Sequence, residues 1–426
     1  MESIQFLIDK LNREDGEGLA EGLKDYPNSI NVGNLSLDII EKDSSLTIEI
    51  GNILKDYIRL NKALNSPDKT EKFYTSNDLL KNLNRFAEQK TVWIVKSLMV
   101  ITKNLINYAI EADDYIEKNP TIVLESNHFS GNQQDESCLI IAARTIHNSY
   151  KLCLNDRNED LLQSRRQCIY YFVGQELKIY HKLNNKDMAK NMEKVFKSKE
   201  DELPSLSSIP KSHAITYLYY SGALSCGDGN FKNAYFKFKY AYQLCSKKDM
   251  KHKENILVYL IPLKFLITKK YPNLTKLKMF PKNYEIYNKI FTSLINGDLK
   301  TFEKYFELYE NFFLKKNLYL VIENLTNFIL LKLFKTIYKS NNLSSHLSII
   351  TITRGLEFSK YHTNNSELER SSNMIGILNQ DETECIIANL IYQGYIKGYL
   401  SHTNGVLVLS KKDPFPKQVK LHDDME

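Results

Sequence analysis

The chain has 426 residues and a net charge of +6, and its apolar (42%) and charged (25%) fractions are those of an ordinary globular protein. This length suits two or three domains, and the scarcity of glycine (16) and proline (10) favours long helices joined by short turns. The start of the chain lacks a basic region before an apolar core, which argues against a signal peptide. The longest apolar run, residues 256–267, contains Lys264 and is too short to span a bilayer.

Charge is distributed unevenly along the chain. Residues 1–145 hold 16 basic and 23 acidic residues, whereas residues 246–340 hold 18 lysines and 8 acidic residues. Such asymmetry indicates that the later region meets an anionic partner. A solvated, lysine-rich helical surface is the alternative interpretation.

In chain order, residues 1–75 contain amphipathic pieces separated by glycine and asparagine, and they predict a loosely attached helical extension. From Ser76 onward apolar residues recur at i+3 and i+4, as in a helix. Residues 119–136 are polar and predict a loop, and residues 198–210 predict a hinge or surface connection. Helices are predicted between and around them at 79–86, 93–110, 139–154, 167–183 and 188–196.

A helix pair follows, residues 214–225 and 231–245, and its aromatic and small residues resemble a tetratricopeptide-like hairpin. The 34-residue period is not clean, so an array of irregular pairs is expected. Further helices are predicted at 255–269, 284–294, 299–312 and 318–338. The predicted fold class is therefore mainly α: a solenoid of TPR-like helical pairs over residues 76–340.

The chain ends in a different pattern. Asp381 and Glu384 resemble a capping box at the start of a helix, and Gly394 suits a left-handed cap at its end. Residues 395–401 and 406–410 alternate like strands around the turn 402–405. Because an isolated hairpin is marginally stable, it must pack on the preceding helices, which is typical of a winged helix. Residues 341–416 are assigned to this module and 417–426 to a tail.

Features of enzymes are scarce in this sequence. The six cysteines form no CxxC pair, and no histidines stand near them at zinc-ligand spacing, so reduced thiols in an intracellular protein are expected. No HExxH, GxxxxGK[ST], GxGxxG or GxSxG motif is present, and we predict no catalytic residue, metal or cofactor. His147 and Cys153 lie close in sequence, but they are predicted to be core residues of one helix.

Four sequence blocks carry a resemblance to a known family: RTIHNSYKLCLNDR (144–157), IYHKLNNKDMAKNM (179–192), YYSGALSCGDGNFKNAYFKF (219–238) and GYIKGYLSHTNGVLVLSKKDPFP (394–416). A helical array ending in a winged helix is similar to the PCI-domain proteins of the proteasome lid, the signalosome and an initiation-factor complex. The blocks look most like the fungal PCI proteins named for subunit twelve of the COP-nine signalosome. The PCI subunit of the TREX-two mRNA-export complex is a close relative. Residues 1–75 show no resemblance.

The resemblance implies a non-catalytic scaffold that pairs with a second PCI protein, winged helix beside winged helix. It also implies binding of a small, acidic, disordered DSS/Sem-type protein shared with the proteasome lid. The expected function lies in a nuclear complex, present also in the cytoplasm, that binds RNA or DNA during transcription-coupled maturation and splicing of messenger RNA, with a signalosome link. The alternatives are the mRNA-export subunit, another PCI scaffold, and an unrecognised hydrolase.

One departure from the family pattern lies before the final helix. Residues 360–380 (KYHTNNSELERSSNMIGILNQ) are longer and more polar than a compact winged helix needs, and they predict a mobile loop.

Lysines cluster on and beside the predicted hairpin, where Asp413 is the only acid between residues 394 and 420. Clustered cations attract phosphates, and lysine rather than arginine favours the nucleic-acid backbone over base readout. The alternative is a solubilising edge that protects an exposed strand. The predicted nucleic-acid-binding residues are Lys397, Lys411, Lys412, Lys417 and Lys420.

A second lysine cluster flanks an apolar run in the middle of the chain. A disordered acidic partner needs both cations and apolar pockets to offset its ordering entropy. The alternative is a buried helix whose lysines reach to solvent. The predicted acidic-partner residues are Lys264, Lys269, Lys270, Lys276, Lys278 and Tyr271.

Four apolar residues of the hairpin are assigned to an edge facing the second PCI protein: Tyr395, Tyr399, Leu407 and Leu409. The alternative is that they pack inward.

Overall fold

The computed structural model describes residues 2–24, 47–119, 136–161, 163–361 and 379–416, which are mostly helical. These residues fall into two units, Met1–Leu224 and Ser225–Glu426. The expected mainly helical protein with a terminal winged helix is confirmed. The domain boundaries at residues 75 and 340 stay predictions, and the predicted loops 119–136 and 360–380 lie largely outside the described residues.

The first unit is an array of neighbouring helices whose apolar faces are buried. Helix α4 packs against α3 and α5, and α6 packs against α5 and α7. Side chains cap several of these helices, as where Asp68 accepts a hydrogen bond from the Thr70 N–H at 2.8 Å. The helices are α1 (Glu2–Asn12), α2 (Gly16–Gly22), α3 (Ile48–Ala63), α4 (Lys69–Ala87), α5 (Val95–Lys118), α6 (Cys138–Leu154), α7 (Ile169–Lys182) and α8 (Lys186–Lys197), with α9 (Lys211–Gly227) at the boundary.

The described part of the N-terminal extension packs through apolar side chains and one hydrogen bond. Ile4, Leu7 and Leu11 form a buried stripe on α1, and α2 packs against α5. The Tyr57 hydroxyl of α3 donates to the Gly22 carbonyl at 3.0 Å. Burial of an apolar side chain of this size contributes about 1.5–3 kcal/mol, so these residues help to hold α1 in place.

The second unit continues with shorter helices around an aromatic core. The Phe265 ring is buried and contacts Phe291 and Phe328, with centroids 5.5 and 5.2 Å away. No helix within the described ranges is both long and apolar enough to cross a membrane. The helices are α10 (Phe231–Leu244), α11 (Met250–Thr268), α12 (Leu274–Leu277), α13 (Pro281–Asn296), α14 (Leu299–Leu308), α15 (Glu310–Lys315), α16 (Tyr319–Glu323), α17 (Thr326–Ser340), α18 (Ile349–Tyr361) and α19 (Gln380–Tyr392).

Three strands close the terminal module: β1 (His346–Ser348), β2 (Gly398–Ser401) and β3 (Val406–Leu409). The sheet order is β1-β3-β2 and both pairs are antiparallel, with Leu347 opposite Leu407 and Tyr399 opposite Val408. The sequence predicts β2 and β3 but not β1. Leu347 and Leu407 are fully buried, as expected for a sheet that packs on α18 and α19.

Of the two caps predicted for α19, the C-terminal one is observed and the N-terminal one is wrong. Gly394 has φ +75°, the left-handed conformation expected at a helix end. The N-terminal cap is Asn379, whose side chain accepts from the Asp381 N–H at 3.3 Å, so Asp381 is not the cap. Glu384, expected in a capping box, instead contacts His402 Nδ1 at 2.8 Å and raises the pKa of that imidazole by hydrogen bonding and charge.

Candidate partner and nucleic-acid interfaces

A cavity of about 500 Å³ opens between α10, α11 and the segment 270–280, and we call it the lysine groove. Its apolar lining includes Tyr235, Leu260 and Leu277, all of which are buried. Its lining contains no acidic residue. Four lysines complete it: Lys239, Lys264, Lys270 and Lys276.

The backbone after α11 creates this shape. Lys269 ends the helix with φ +59°, so the chain turns there, and Asn273 then caps α12 by accepting from the Lys276 N–H at 3.0 Å. The side chains of Lys264 and Lys270, which flank this turn, are exposed. The turn therefore places lysines from two separate segments around one apolar floor.

Three residues of the predicted acidic-partner set do not line the groove. Lys269 Nζ lies 4.2 Å from the Phe328 ring centroid and donates to the Leu266 carbonyl at 2.6 Å. Burial lowers the pKa of Lys269 to about 8, while the negative face of the ring favours the charged form. Lys278 lies over the Tyr284 ring, 5.9 Å from its centroid.

Tyr271 is the third of these residues, and it is half-exposed with its ring 4.8 Å from Phe265. Conversely, sequence reasoning missed Lys239. Of the predicted set, the structure brings together Lys264, Lys270 and Lys276 in the lining of the groove.

The lysines predicted to contact nucleic acid lie around the end of the sheet. Lys397, Lys411 and Lys412 are exposed, and Lys417 and Lys420 lie outside the described residues. The Lys397 N–H donates to the Pro414 carbonyl at 2.9 Å, and its own carbonyl accepts from the Ser410 N–H at 2.8 Å. These bonds hold Lys397 beside the segment that carries Lys411 and Lys412.

A face of α17 adjoins the same segment. The Phe415 ring lies 5.6 Å from the Tyr338 ring, and Lys335 Nζ is 5.6 Å from the Phe415 centroid. Burial and the charge of Lys332 lower the pKa of Lys335, and Asp413 opposes them. We call the combined surface the terminal lysine face: Lys332, Lys335, Lys339, Lys397, Lys411 and Lys412.

The α17 lysines were missed at the level of sequence, although their spacing was a usable signal. Positions i, i+3 and i+7 share one side of a helix, so Lys332, Lys335 and Lys339 are neighbours by periodicity alone. Periodicity does not reveal that Phe415 packs against that side of α17.

Of the four residues predicted to face a second PCI protein, three are buried and one is exposed. Tyr395, Leu407 and Leu409 are buried in the core of the module, so their side chains are not free to meet a partner. Burial raises the pKa of Tyr395 to about 12, and its ring packs 5.3 Å from Phe328. Tyr399 is 63% exposed and lies on β2, an edge strand of the sheet.

The His147 region also has a defined geometry. Cys153 is fully buried, as expected of a core residue, whereas His147 is partly exposed and its Nδ1 lies 3.1 Å from Glu176 Oε2. Burial raises the pKa of Glu176, and hydrogen bonding to His147 opposes that rise. Within the described ranges, histidine, cysteine and carboxylate side chains form no group of three able to hold a metal ion.

Comparison with known proteins agrees with this architecture. The PCI domain model matches residues 302–411, from α14 through β3. A protein of Debaryomyces hansenii named "Protein CSN12 homolog" is 35% identical over 435 residues, with 97% of each chain covered. The chain belongs to the CSN12 family of PCI-domain proteins. Another CSN12 homolog, from Yarrowia lipolytica, is 29% identical over 82% of this chain and 81% of its own.

Membership of the CSN12 family confirms the resemblance seen in the sequence. "Cop9 signalosome complex subunit 12" of Saccharomyces cerevisiae is 29% identical, covering 80% of this chain and 79% of that protein. The D. hansenii alignment reaches the N-terminal extension, for which the sequence alone showed no resemblance. The terminal lysine face falls almost wholly within the PCI match, whereas the lysine groove precedes it.

Proposed function

We propose that the protein is a non-catalytic scaffold subunit that pairs with a second PCI protein and orders a small acidic DSS/Sem-type protein. The resulting complex binds RNA or DNA in the nucleus, with a further cytoplasmic pool, and acts in transcription-coupled mRNA maturation and splicing. A signalosome link is supported by the two relatives named as signalosome subunit 12, from S. cerevisiae and Eremothecium gossypii.

The lysine groove is the observation that carries this proposal. Four lysines surround an apolar floor, and no acid in the lining neutralises them. An acidic disordered chain loses conformational entropy when it binds, so it needs burial of apolar side chains as well as charge attraction. The groove supplies both within one cavity of about 500 Å³.

Affinity purification from the protein's own cells tests the acidic partner. The variant Lys264→Glu/Lys270→Glu/Lys276→Glu reverses three rim charges, and we expect recovery of a small acidic protein to fall about tenfold or more. The control Lys251→Glu/Lys289→Glu/Lys304→Glu makes the same charge change at exposed lysines outside the groove. Equal recovery with both variants, measured by quantitative mass spectrometry, refutes the groove as the binding site.

Nucleic-acid binding is proposed for the terminal lysine face. Its six cations come from α17 and the end of the sheet, and its nearby acid is Asp413. Each phosphate that a lysine neutralises releases counterions, so affinity falls with salt whatever the base sequence. Lysine side chains place charge without the fixed fork that arginine offers to bases.

Salt-dependent binding of single-stranded RNA and DNA tests this face. Lys411→Glu/Lys412→Glu removes two contacts and should reduce the slope of log affinity against log salt by about 1.4 for a single strand. Lys251→Glu/Lys289→Glu carries the same charge change and should leave the slope close to that of the parent chain. An unchanged slope in the first variant removes Lys411 and Lys412 from the interface.

Pairing with a second PCI protein is proposed through β2. Tyr399 presents an aromatic side chain on an edge strand, which is the arrangement that strand addition or sheet-edge docking uses. Tyr399→Asp should abolish recovery of the PCI partner, while Tyr392→Asp, at an exposed tyrosine on α19, serves as its control.

A role as the PCI subunit of the mRNA-export complex is the second candidate. This candidate rests on the resemblance of the four sequence blocks to that subunit, which is a close relative of the family. The identity of the co-purified PCI partner distinguishes the two proposals.

A further inference from the structure

A second cavity, of about 590 Å³, lies in the first unit between α4 and α6. We call it the arginine groove. Its lining combines four cations with three asparagines, one acid and one leucine, so it is far more polar than the lysine groove. The cations are Lys81, Arg85, Lys151 and Arg165. None of the residues assigned to partner or nucleic-acid binding lies in it.

Helical spacing builds the two walls. Lys81 and Arg85 stand one turn apart on α4, and Asn148, Lys151 and Asn155 stand at successive turns along and just after α6. Two helices therefore direct donors into the same space. The cavity falls in the size range of small-molecule sites.

Arg165 supplies a fixed cation at the base of the groove. Its side chain is only 12% exposed. Nη1 donates to the carbonyls of Ala87 at 2.6 Å and Glu88 at 3.3 Å, at the end of α4. Its backbone N–H donates to Asp156 Oδ2 at 2.7 Å, and Nε lies 3.5 Å from the same oxygen. Within the described residues, Nε is buried without a hydrogen-bond partner.

The rim cations, in contrast, are exposed and adjustable. Lys81 pairs with Asp78 at 3.1 Å, an exposed ion pair of the kind that contributes little to stability and is easily rearranged. Arg85 Nη1 reaches Asn82 Oδ1 only at 3.5 Å. Lys151 is exposed on α6. Glu88 is the one acid in the lining, and Asp78 and Asp156 lie outside the lining beside Lys81 and Arg165.

We infer that the arginine groove binds a small anion that carries several phosphoryl groups. Arginine and lysine donors around a polar cavity match phosphoryl oxygens. The lining has no aromatic side chain on which a nucleobase would stack, and Leu152 is its apolar member. A compact polyphosphorylated anion uses these donors without needing an apolar floor. This site is independent of the lysine groove and of the terminal lysine face.

Isothermal titration calorimetry of the full chain with inorganic tripolyphosphate tests the inference. We expect one binding event per chain. Lys81→Gln/Arg85→Gln/Lys151→Gln should weaken it about tenfold or more, because three rim donors to the anion are lost. The control Arg13→Gln/Lys62→Gln/Lys194→Gln removes the same charge at exposed positions of the first unit outside the groove, and its affinity should stay within about twofold of the parent chain.

Three results would overturn the inference. One is no heat of binding at millimolar tripolyphosphate. The second is an equal loss in the two triple variants, which would show a general effect of net charge. The third is a groove variant that loses affinity for single-stranded RNA while tripolyphosphate does not bind, since the groove would then be a nucleic-acid surface. Circular dichroism of both variants verifies that the helices are retained.

Discussion

Replacing Gly398 with alanine should disrupt the terminal sheet through crowding. Gly398 begins β2 opposite Leu409, and a Cβ built on it would lie 2.3 Å from the Val408 carbonyl oxygen and 3.2 Å from Leu409 Cα. The 2.3 Å distance to the oxygen is about 1 Å shorter than an ordinary van der Waals contact, so β2 and β3 must move apart. Because overpacking costs about 1–3 kcal/mol and each weakened ladder bond about 1 kcal/mol, we expect a total of about 2–4 kcal/mol.

Two other glycines of the module provide matched controls. Gly394 has φ +75° and Gly405 has φ +58°, and a Cβ at either position meets nothing within 4 Å. Alanine at these sites therefore costs only the left-handed backbone, about 1–2 kcal/mol. Asparagine tolerates that conformation better and should recover part of the loss at Gly394 and Gly405, whereas Gly398→Asn should be at least as damaging as Gly398→Ala.

Hydrogen exchange read at the β3 amides is the assay, because the module can open without global unfolding. In Gly398→Ala the amides of Val406 and Val408 should lose protection in proportion to the expected cost of about 2–4 kcal/mol. Thermal unfolding of the whole chain gives a second measure. If Gly398→Ala costs no more than Gly405→Ala, or if asparagine recovers it, the pairing of Gly398 with Leu409 is wrong.

Three further predictions concern the helices. Phe265→Ala should destabilise the second unit by about 3–5 kcal/mol in urea unfolding, because it empties a buried ring site, while Tyr271→Ala at the half-exposed neighbouring ring should cost clearly less. Asn379→Ala should lower the free energy of unfolding by about 1 kcal/mol, because the α19 cap is lost. Asp381→Ala should have a smaller effect, so comparing the two variants shows which residue caps the helix. Burial raises the pKa of Glu176 above its ordinary 4.5 in the folded state, so the folded chain holds this proton at a pH where the unfolded chain has lost it. Stability should accordingly decrease as pH rises from about 4.5 through the raised pKa, and Glu176→Gln should remove that part of the dependence of Tm on pH.

Local signals account for the parts of the fold that sequence predicts well. The Asn404-Gly405 turn, the left-handed Gly394 and the period of the apolar residues each depend on a few neighbouring positions. Strand β1 has no such signal. It is three residues long and becomes a strand only because β3, which lies far downstream in the chain, pairs with it.

The difference between local signals and contacts of distant segments also explains which parts of the binding surfaces the sequence predicts. Composition identified the lysine-rich regions, and three lysines of the predicted acidic-partner set do line the lysine groove. The sequence does not show that Lys269 lies over Phe328, that Lys239 joins the groove from another helix, or that Phe415 packs against α17. Each of these facts depends on contacts between segments that are distant in sequence. Burial likewise distinguishes Tyr395, which is buried, from Tyr399, which is exposed, although both lie in the same short segment of the hairpin.

The strand order has a consequence for synthesis of the protein. Among the described strands, the last to leave the ribosome is β3, the middle strand of the sheet, so β1 and β2 lack their partner until it arrives. A truncated product that stops at Gly405 would keep α18 and α19 and yet expose two unpaired strands, a recognised route to aggregation and to capture by chaperones. Late frameshifts in the reading frame should therefore act as loss-of-function alleles, even though they spare most of the polypeptide.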